Sequence, residues 1–416
     1  MERVSTNYSN NNMSFYMRNR ELELSRVQNQ MSSQKRIQEL RDDPVAAGHA
    51  TRLQSYDARL ERYQRNAQSV IDSQNYTEGQ MRQAVEVFHR VRELAVQGAH
   101  GVYGEDELKQ MAGEVNELLK ELVSLANATD GKGKAVFAGA KVDSTPFIAS
   151  EGNVPGSDRQ LITEVRYTGD ITRNQTEIAE GVFMDTNIPG NAVFWAENQQ
   201  VYGAVDTADY QVQQNSVISI QGKEIELMEG DSIYAIMAKI NNARAGVRAR
   251  MDSVDNTLVL ETMEPQQLWL EDRGNSTVLQ DLGITAASQD ARPPHNFSPD
   301  AEVFGGSAFD MVISLRDTML EGKTFDVGGA GLGGIDAAMN KMLGELGQLG
   351  ARQTRLEMGL DKLSNDRLTV QEWNSHMVDL DMAEAITELK RLEGTHKAAL
   401  ATAARIMQPT LLDFLR

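Results

Sequence analysis

A glycine-rich stretch is the part of this sequence that most resembles a ligand-binding motif. Gly329-Ala-Gly-Leu-Gly-Gly334 matches G-x-G-x-x-G, in which glycines let the backbone approach a pyrophosphate at a helix N-terminus. That motif needs a buried strand before it and a βαβ unit around it. Here the preceding segment 323–327 is short and polar, and helical sequence follows to about Val370. We therefore interpret the stretch as a flexible link between helices and predict no cofactor.

The histidines and acidic pairs lack the spacing of a metal or catalytic site. Six histidines are scattered from His49 to His396 without an H-E-x-x-H pair, whereas zinc sites need clustered ligands. Acidic pairs such as Asp42-Asp43 lack the spacing of a calcium loop. The chain also has no cysteine, no G-x-S-x-G elbow and no Walker loop. We therefore predict no catalytic, cofactor-binding or metal-binding residues and expect that the protein is not an enzyme.

Length and charge narrow the classes of function further. The 416 residues predict two to four domains, and 60 acidic against 41 basic side chains give a net charge of −19. Phosphate backbones and anionic lipids repel such a surface, so we predict no nucleic-acid partner. The sequence has no apolar run of about 18 residues and no apolar core behind a basic start. We therefore expect no membrane insertion, and any export would proceed without a cleaved signal peptide.

Apolar periodicity predicts long helices toward both ends of the chain. A first helix begins at about residue 13 and should end near residue 40, because Pro44 disfavours helical geometry in the residue before it. A second helix is predicted at about 44–98 and a third at about 105–128. Helical periodicity returns at about 309 and continues to the end, apart from the glycine-rich stretch.

Two narrow apolar stripes with spacings of three, four and seven residues predict where chains associate. This predicted assembly seam consists of Met17, Leu24, Val27, Met31, Met382, Ile386, Leu389, Leu400, Ala403 and Met407. Each stripe has the width that a partner helix covers, so we expect the two termini to form an antiparallel pair. Such a pair buries little surface by itself, which favours completion by neighbouring copies. The alternative is a pair of ordinary amphipathic helices buried within a monomer.

The middle of the chain, at about 131–299, consists of short alternating segments separated by turn residues, which predicts strands. Its first block contains LITEVRYTGD and a segment, NAVFW, that we predict to be extended. Its second block begins near Val217 and reads as two strands, a helix at 232–243 and three further strands. Gly222 and Asn256 mark the two hairpin turns. This block therefore predicts an α+β module.

These patterns predict a mostly α fold with a β-rich insertion. Both chain termini should form an antiparallel helical rod from which the α+β middle region protrudes. The predicted domains are a terminal helical (coiled-coil) assembly domain at 1–43 and 375–416, a helical rod domain at 44–150 and 300–374, and an insertion at 151–299 with its α+β module at about 216–285.

Both chain ends resemble those of bacterial flagellins and their hook-associated relatives. MSSQKRIQELRDDPVAAG, from Met31, resembles the N-terminal signature of that family, although Gln34 stands where the signature usually has glycine. DMAEAITELKRLEGTHKAALATAARIMQPTLLDFL, from Asp381, resembles its closing helix. KAVFAGAKVDSTPF, YTGD and NIPGNAVF are similar to segments of the hook-associated members. The module with Ile240-Asn241 resembles the flagellin insert.

The resemblance implies a structural subunit of the flagellum that joins hook to filament and templates flagellin assembly. It also implies a homo-oligomeric ring, contacts with a neighbouring hook-associated protein and flagellin, and type III export with a chaperone on the C-terminal region. The protein would lie outside the cell, or in the periplasm where flagella are internal. The alternatives are a filament flagellin, a cytoplasmic coiled-coil signalling protein and a nucleotide-dependent enzyme.

Overall fold

The computed structural model of the chain describes residues 6–39, 41–287 and 291–406. They belong to two compact units. The terminal unit comprises Met1–Arg65 and Leu360–Arg416, and the central unit comprises Asn66–Gly359. Long helices flank a middle region that contains all the strands of the described residues, which confirms the mostly α fold with a β-containing middle.

The long helices follow the predicted order. The helices are α1 (Thr6–Ser33), α2 (Pro44–Ala99), α3 (Glu105–Ala126), α4 (Gly190–Val193), α5 (Ile233–Asn242), α6 (Val278–Asp281), α7 (Ala308–Leu320), α8 (Thr324–Asp326), a π-helical turn (Val327–Gly331), α9 (Leu332–Val378) and α10 (Met382–Ile406). The sequence analysis does not predict the short helices α4 and α6 or the break between α9 and α10. Helix α2 begins where the sequence indicates, because the Asp43 carboxylate accepts a hydrogen bond from Ala46 N at 2.9 Å and Pro44 occupies the first turn.

Helix α1 ends seven residues before the predicted boundary near residue 40. Gln34 has φ +58°, a left-handed conformation that cannot continue a helix. The chain then forms a short antiparallel bridge: Arg36 N donates to Val378 O at 2.7 Å, and Leu380 N donates to Gln34 O at 3.0 Å. Pairing with this distant segment stops the helix before the effect of Pro44 on its neighbour applies.

The strands form four antiparallel sheets in the described part of the central unit. They are β1 (Phe147–Asn153), β2 (Gln160–Tyr167), β3 (Gln175–Ala179), β4 (Val182–Asp185), β5 (Gln200–Tyr202), β6 (Ser216–Ile220), β7 (Lys223–Leu227), β8 (Val247–Met251), β9 (Leu258–Thr262), β10 (Leu270–Arg273) and β11 (Glu302–Phe304). The sheet orders are β1-β2, β3-β4, β10-β6-β7 and β11-β5-β9-β8. The predicted turns are confirmed: Gln221 and Gly222 have φ +51° and +76°, as a type I′ hairpin requires, and Asn256 has φ +53°.

Two local predictions are wrong. The segment NAVFW is not extended, because Gly190–Val193 forms the helical turn α4, in which Phe194 N donates to Gly190 O at 2.9 Å. All four residues of this turn are buried, so packing decides its conformation. The glycine-rich stretch is not a flexible link either. It continues from the π-helical turn directly into α9.

Each unit has its own apolar core. A large cluster in the central unit joins α2, α3, α7 and α9 to the first block of strands, and a second cluster lies within the α+β module around α5. The terminal unit contains a smaller cluster of Leu60, Tyr63, Leu363 and Val370. This cluster holds the first part of α2 against the last part of α9.

Candidate assembly surface

Helices α1 and α10 pack against each other in the terminal unit. Lys35 and Asp379 form the antiparallel bridge, and Glu23 exerts an electrostatic effect on Arg391. Glu23 lies 12 residues before Lys35, and Arg391 lies 12 residues after Asp379. The two helices therefore run antiparallel, as the terminal stripes predict.

The side of α10 that faces α1 is an unbroken four-three stripe. Its members are Ala385, Leu389, Leu392, His396, Ala399 and Ala403, all of which are buried or half-buried. Opposite them, the predicted seam residues Met17, Leu24, Val27 and Met31 of α1 are half-buried. Side chains at this spacing interlock between antiparallel helices, so this face holds the pair together.

The predicted seam divides into two groups in the structure. Leu389 and Ala403 lie in the stripe that faces α1, whereas Met382, Ile386 and Leu400 are 39%, 42% and 43% exposed. We call the three exposed residues the free face of α10. Met407 lies outside the described residues. The sequence analysis missed Ala385, Leu392 and Ala399, because two overlapping four-three registers run along α10 and share Leu389, His396 and Ala403.

Charge distinguishes the two units. The terminal unit has 18 basic and 17 acidic residues, a net of +1, and the central unit has 23 basic and 43 acidic residues, a net of −20. Like charges repel between copies of a chain. The terminal unit can therefore approach its own copies without the repulsion that the central unit generates.

The segment between α1 and α2 holds the end of α1 close to the start of α10. The Arg36 guanidinium donates to Met377 O at 2.8 Å, which satisfies a carbonyl at the C-terminus of α9. Ile37 is 8% exposed, and the Gln38 amide donates to Ser33 Oγ at 2.6 Å. The basic Arg-Ile pair in the N-terminal signature thus anchors α1 to the segment that precedes α10.

The glycine-rich stretch does not form a phosphate cradle. A Cβ at Gly331 would lie 2.8 Å from Leu315 Cδ1, and one at Gly334 would lie 2.6 Å from Met311 Sδ. These glycines therefore allow α7 to pack closely. Within 6–39, 41–287 and 291–406, no group of three or more His, Asp or Glu residues could hold a metal ion, and no helix is long and apolar enough to span a membrane.

Comparison with known protein families matches most of the chain. The bacterial flagellin N-terminal helical region matches residues 4–142, and the bacterial flagellin C-terminal helical region matches residues 332–415. The flagellin hook IN motif matches residues 213–262. The chain belongs to the bacterial flagellin family. That family consists of structural flagellar proteins rather than enzymes, so this flagellin-family chain is a structural component of the flagellum.

Its relatives include filament and hook-associated proteins. Flagellin A of Vibrio anguillarum is 23% identical over 417 residues, 97% of this chain and 96% of that protein. Flagellar hook-associated protein 3 of Escherichia coli is 27% identical over 183 residues, 41% of this chain and 58% of that protein. The latter match thus spans little more than half of its relative. The solved structure of hook-associated protein 3 from Legionella pneumophila has a TM-score of 0.45 and 17% identity, covering 82% of this chain and 98% of that chain.

The segments that resemble hook-associated flagellin relatives form one buried aromatic cluster. Phe147 lies 5.0–5.3 Å, between ring centroids, from Tyr167, Phe194 and Phe309, and Phe137 lies 5.2 Å from Phe194. Burial raises the pKa of the Tyr167 hydroxyl, which lies 2.9 Å from Phe137 O and can donate to it. These motif residues therefore contribute to the core of the central unit.

The Ile-Asn pair of the flagellin hook IN motif has two structural roles. Ile240 is fully buried in the core of the module. The Asn241 amide donates to Ala249 O at 3.0 Å and accepts from Ala249 N at 2.8 Å. Since β8 is the last strand of its sheet, the Asn241 side chain takes the place of a further strand.

Proposed function

We propose that this flagellin-family chain is the subunit that joins hook to filament, and that it forms a ring on which flagellin assembles. The observation that carries the proposal is the free face of α10, an apolar stripe that α1 leaves exposed on a terminal unit of nearly zero net charge. A helix face of this kind is covered when chains associate side by side. The predicted seam, with both of its groups, serves this association.

The placement at the junction draws support from the middle of the chain. KAVFAGAKVDSTPF, YTGD and NIPGNAVF resemble hook-associated members, and relatives named flagellar hook-associated protein 3 align with the chain at 27% identity. We further propose the three-part division at 1–43 with 375–416, 44–150 with 300–374, and 151–299. Export through the flagellar type III route, with a chaperone on the C-terminal region, would place the protein outside the cell or in the periplasm.

A filament flagellin is the second candidate, and one observation favours it. Flagellin A of Vibrio anguillarum aligns over 97% of this chain, whereas hook-associated protein 3 of Escherichia coli aligns over 41%. A filament subunit would be present in many copies along the filament. A junction subunit would be present only at the base of the filament.

Deletion of the gene distinguishes the two candidates. Loss of a junction subunit leaves hooks without filaments, and the cells release unassembled flagellin into the medium. Loss of a filament subunit removes or shortens filaments without such release. Immunogold labelling of sheared flagella provides a second measurement, since label along the whole filament would contradict the junction role.

A further inference from the structure

Side chains close three edges of the two larger sheets. On β7, the Lys239 ammonium donates to Glu226 O at 3.1 Å. On β8, the Asn241 amide bonds to both backbone groups of Ala249. On β10, the Asn296 amide donates to Leu270 O at 2.8 Å. Because an open edge is a template for another strand, these contacts block strand addition at three sites.

Strand β11 forms the fourth edge. The backbone N–H and C=O of its central residue, Val303, point away from the sheet. Directly after β5, Gly203 N donates to Leu258 O, so the odd-numbered residue of β5, Val201, also directs its backbone groups toward β9. The even-numbered residues therefore face β11, where they are opposite Glu302 and Phe304. This alternation turns the N–H and C=O of Val303 away from the sheet. Among the described residues, no side chain closes this edge.

The face of β11 that carries Phe304 adjoins an open groove with both apolar and polar lining. Val303 is 40% exposed and Phe304 is 53% exposed. The ring of Phe304 makes an edge-to-face contact with the ring of Tyr202, with 5.6 Å between centroids. The groove has a volume of about 630 Å³, and its lining includes Glu197, Asn198, Tyr202, Pro265 and Phe304. An extended peptide that pairs with Val303 would place alternate side chains on the face of the sheet that carries the ring of Phe304.

The charges around the groove select the chemistry of the partner. Glu197 lines it and Glu302 lies on β11, and both are exposed and form no ion pair with a described residue. The nearby Arg250 is already engaged, since its guanidinium donates to Tyr202 Oη at 2.8 Å and lies 4.0 Å from Glu261. The groove therefore combines apolar and polar groups with one lining carboxylate, Glu197, and Glu302 adds a second carboxylate on β11. A second copy of the central unit, with its net charge of −20, does not fit it electrostatically.

We propose that β11 and its groove bind an extended, basic segment of a partner protein. The segment adds as a strand to Val303 through backbone hydrogen bonds, and it places a lysine or arginine against the face of Phe304. The interaction is independent of the junction role, because it uses an edge of the central unit rather than the free face of α10.

The test measures the fluorescence anisotropy of a labelled heptapeptide that alternates lysine and valine, titrated with the full chain. We expect saturable binding that a matched glutamate–valine peptide does not show. Val303→Pro removes the outward N–H without removing a hydrogen bond to β5, and it should lower the affinity about tenfold or more. Val303→Ala keeps that N–H and should bind within about threefold of the unchanged chain.

Two further variants separate the groove from the general charge of the protein. Phe304→Ala should weaken binding several-fold, and Phe183→Ala, which alters a phenylalanine of similar exposure on β4, should not. Thermal melting of each variant verifies that it is folded. No saturable binding of the basic peptide, equal binding of the glutamate peptide, or unchanged binding by folded Val303→Pro would each overturn the proposal. A Val303→Pro-sensitive dimer of the chain itself would overturn the choice of partner.

Discussion

Replacing Leu400 by alanine separates assembly from folding, because this side chain belongs to the free face of α10. Leu400 is 43% exposed in the single chain, whereas Leu392, two helical turns earlier, is 6% exposed and faces α1. Leucine-to-alanine substitution removes the same atoms at both positions. At Leu400 these atoms lie on the free face, and at Leu392 they are buried against α1. Lys397, which is exposed between them on the same helix, is the control.

The expected magnitudes follow from the exposed fractions. Burying a whole leucine, isoleucine or methionine side chain stabilises by about 1.5–3 kcal/mol, so covering the exposed part of Leu400 contributes about 0.6–1.3 kcal/mol. The three residues of the free face together contribute about 2–4 kcal/mol per subunit on the same basis. In the single chain the remaining 57% of Leu400 is already covered, so Leu400→Ala should cost about 0.9–1.7 kcal/mol on the same basis. Leu392→Ala should cost about 2–5 kcal/mol.

Two measurements on the purified variants and on cells test this reasoning. The melting temperature of the single chain should be unchanged for Lys397→Ala, slightly lowered for Leu400→Ala and lowered most for Leu392→Ala. Cells with Leu400→Ala should lose filaments and release flagellin, whereas cells with Lys397→Ala should assemble normally. If Leu400→Ala melts many degrees lower yet supports full-length filaments, the free face belongs to an intramolecular core and the assembly argument is wrong.

Three further predictions concern backbone positions and the module. Gly331→Ala should lower the melting temperature, because the added Cβ meets Leu315 and overpacking costs about 1–3 kcal/mol. Gly333→Ala should raise the melting temperature, because an added Cβ there has no atom within 4 Å and alanine favours helix. Equal melting temperatures for the two variants would contradict the packing. Asn241→Ala should destabilise the chain in urea by about 1–3 kcal/mol and Asn242→Ala by less than about 0.5, and equal values would refute the edge contact. Gln34→Gly relieves a left-handed residue, so it should slow hydrogen exchange of the two amides that bond across the bridge by severalfold, and faster exchange would contradict this.

Local signals in the sequence predict the helices and turns well. Pro44 and Asp43 fix the start of α2 through geometry and capping, and the glycine at position 98 lies one residue before its observed end. The turn at Gly222 is equally local, because left-handed conformations at two adjacent residues define the hairpin. Both depend on residues that are close in sequence. Such interactions are present in the sequence pattern itself.

The failures arise from contacts between distant parts of the chain. Helix α1 ends at Ser33 because the next residues pair with the segment around Val378, more than 300 positions away. The free face of α10 could not be separated from its packed stripe, because spacing alone fits both registers. The structure distinguishes the two registers, because α1 covers Leu392 and leaves Leu400 exposed.

The paired amide of Asn241 also determines at which edge the sheet of β8 can grow. When a side chain bonds to the outward N–H and C=O of an edge strand, those backbone groups need no further strand as a partner. The other side of this sheet continues through β9 and β5 to β11, because β9 pairs with β5. A single carboxamide therefore sets the limit of the sheet at β8, while growth in the described part of the chain remains possible only at the opposite edge.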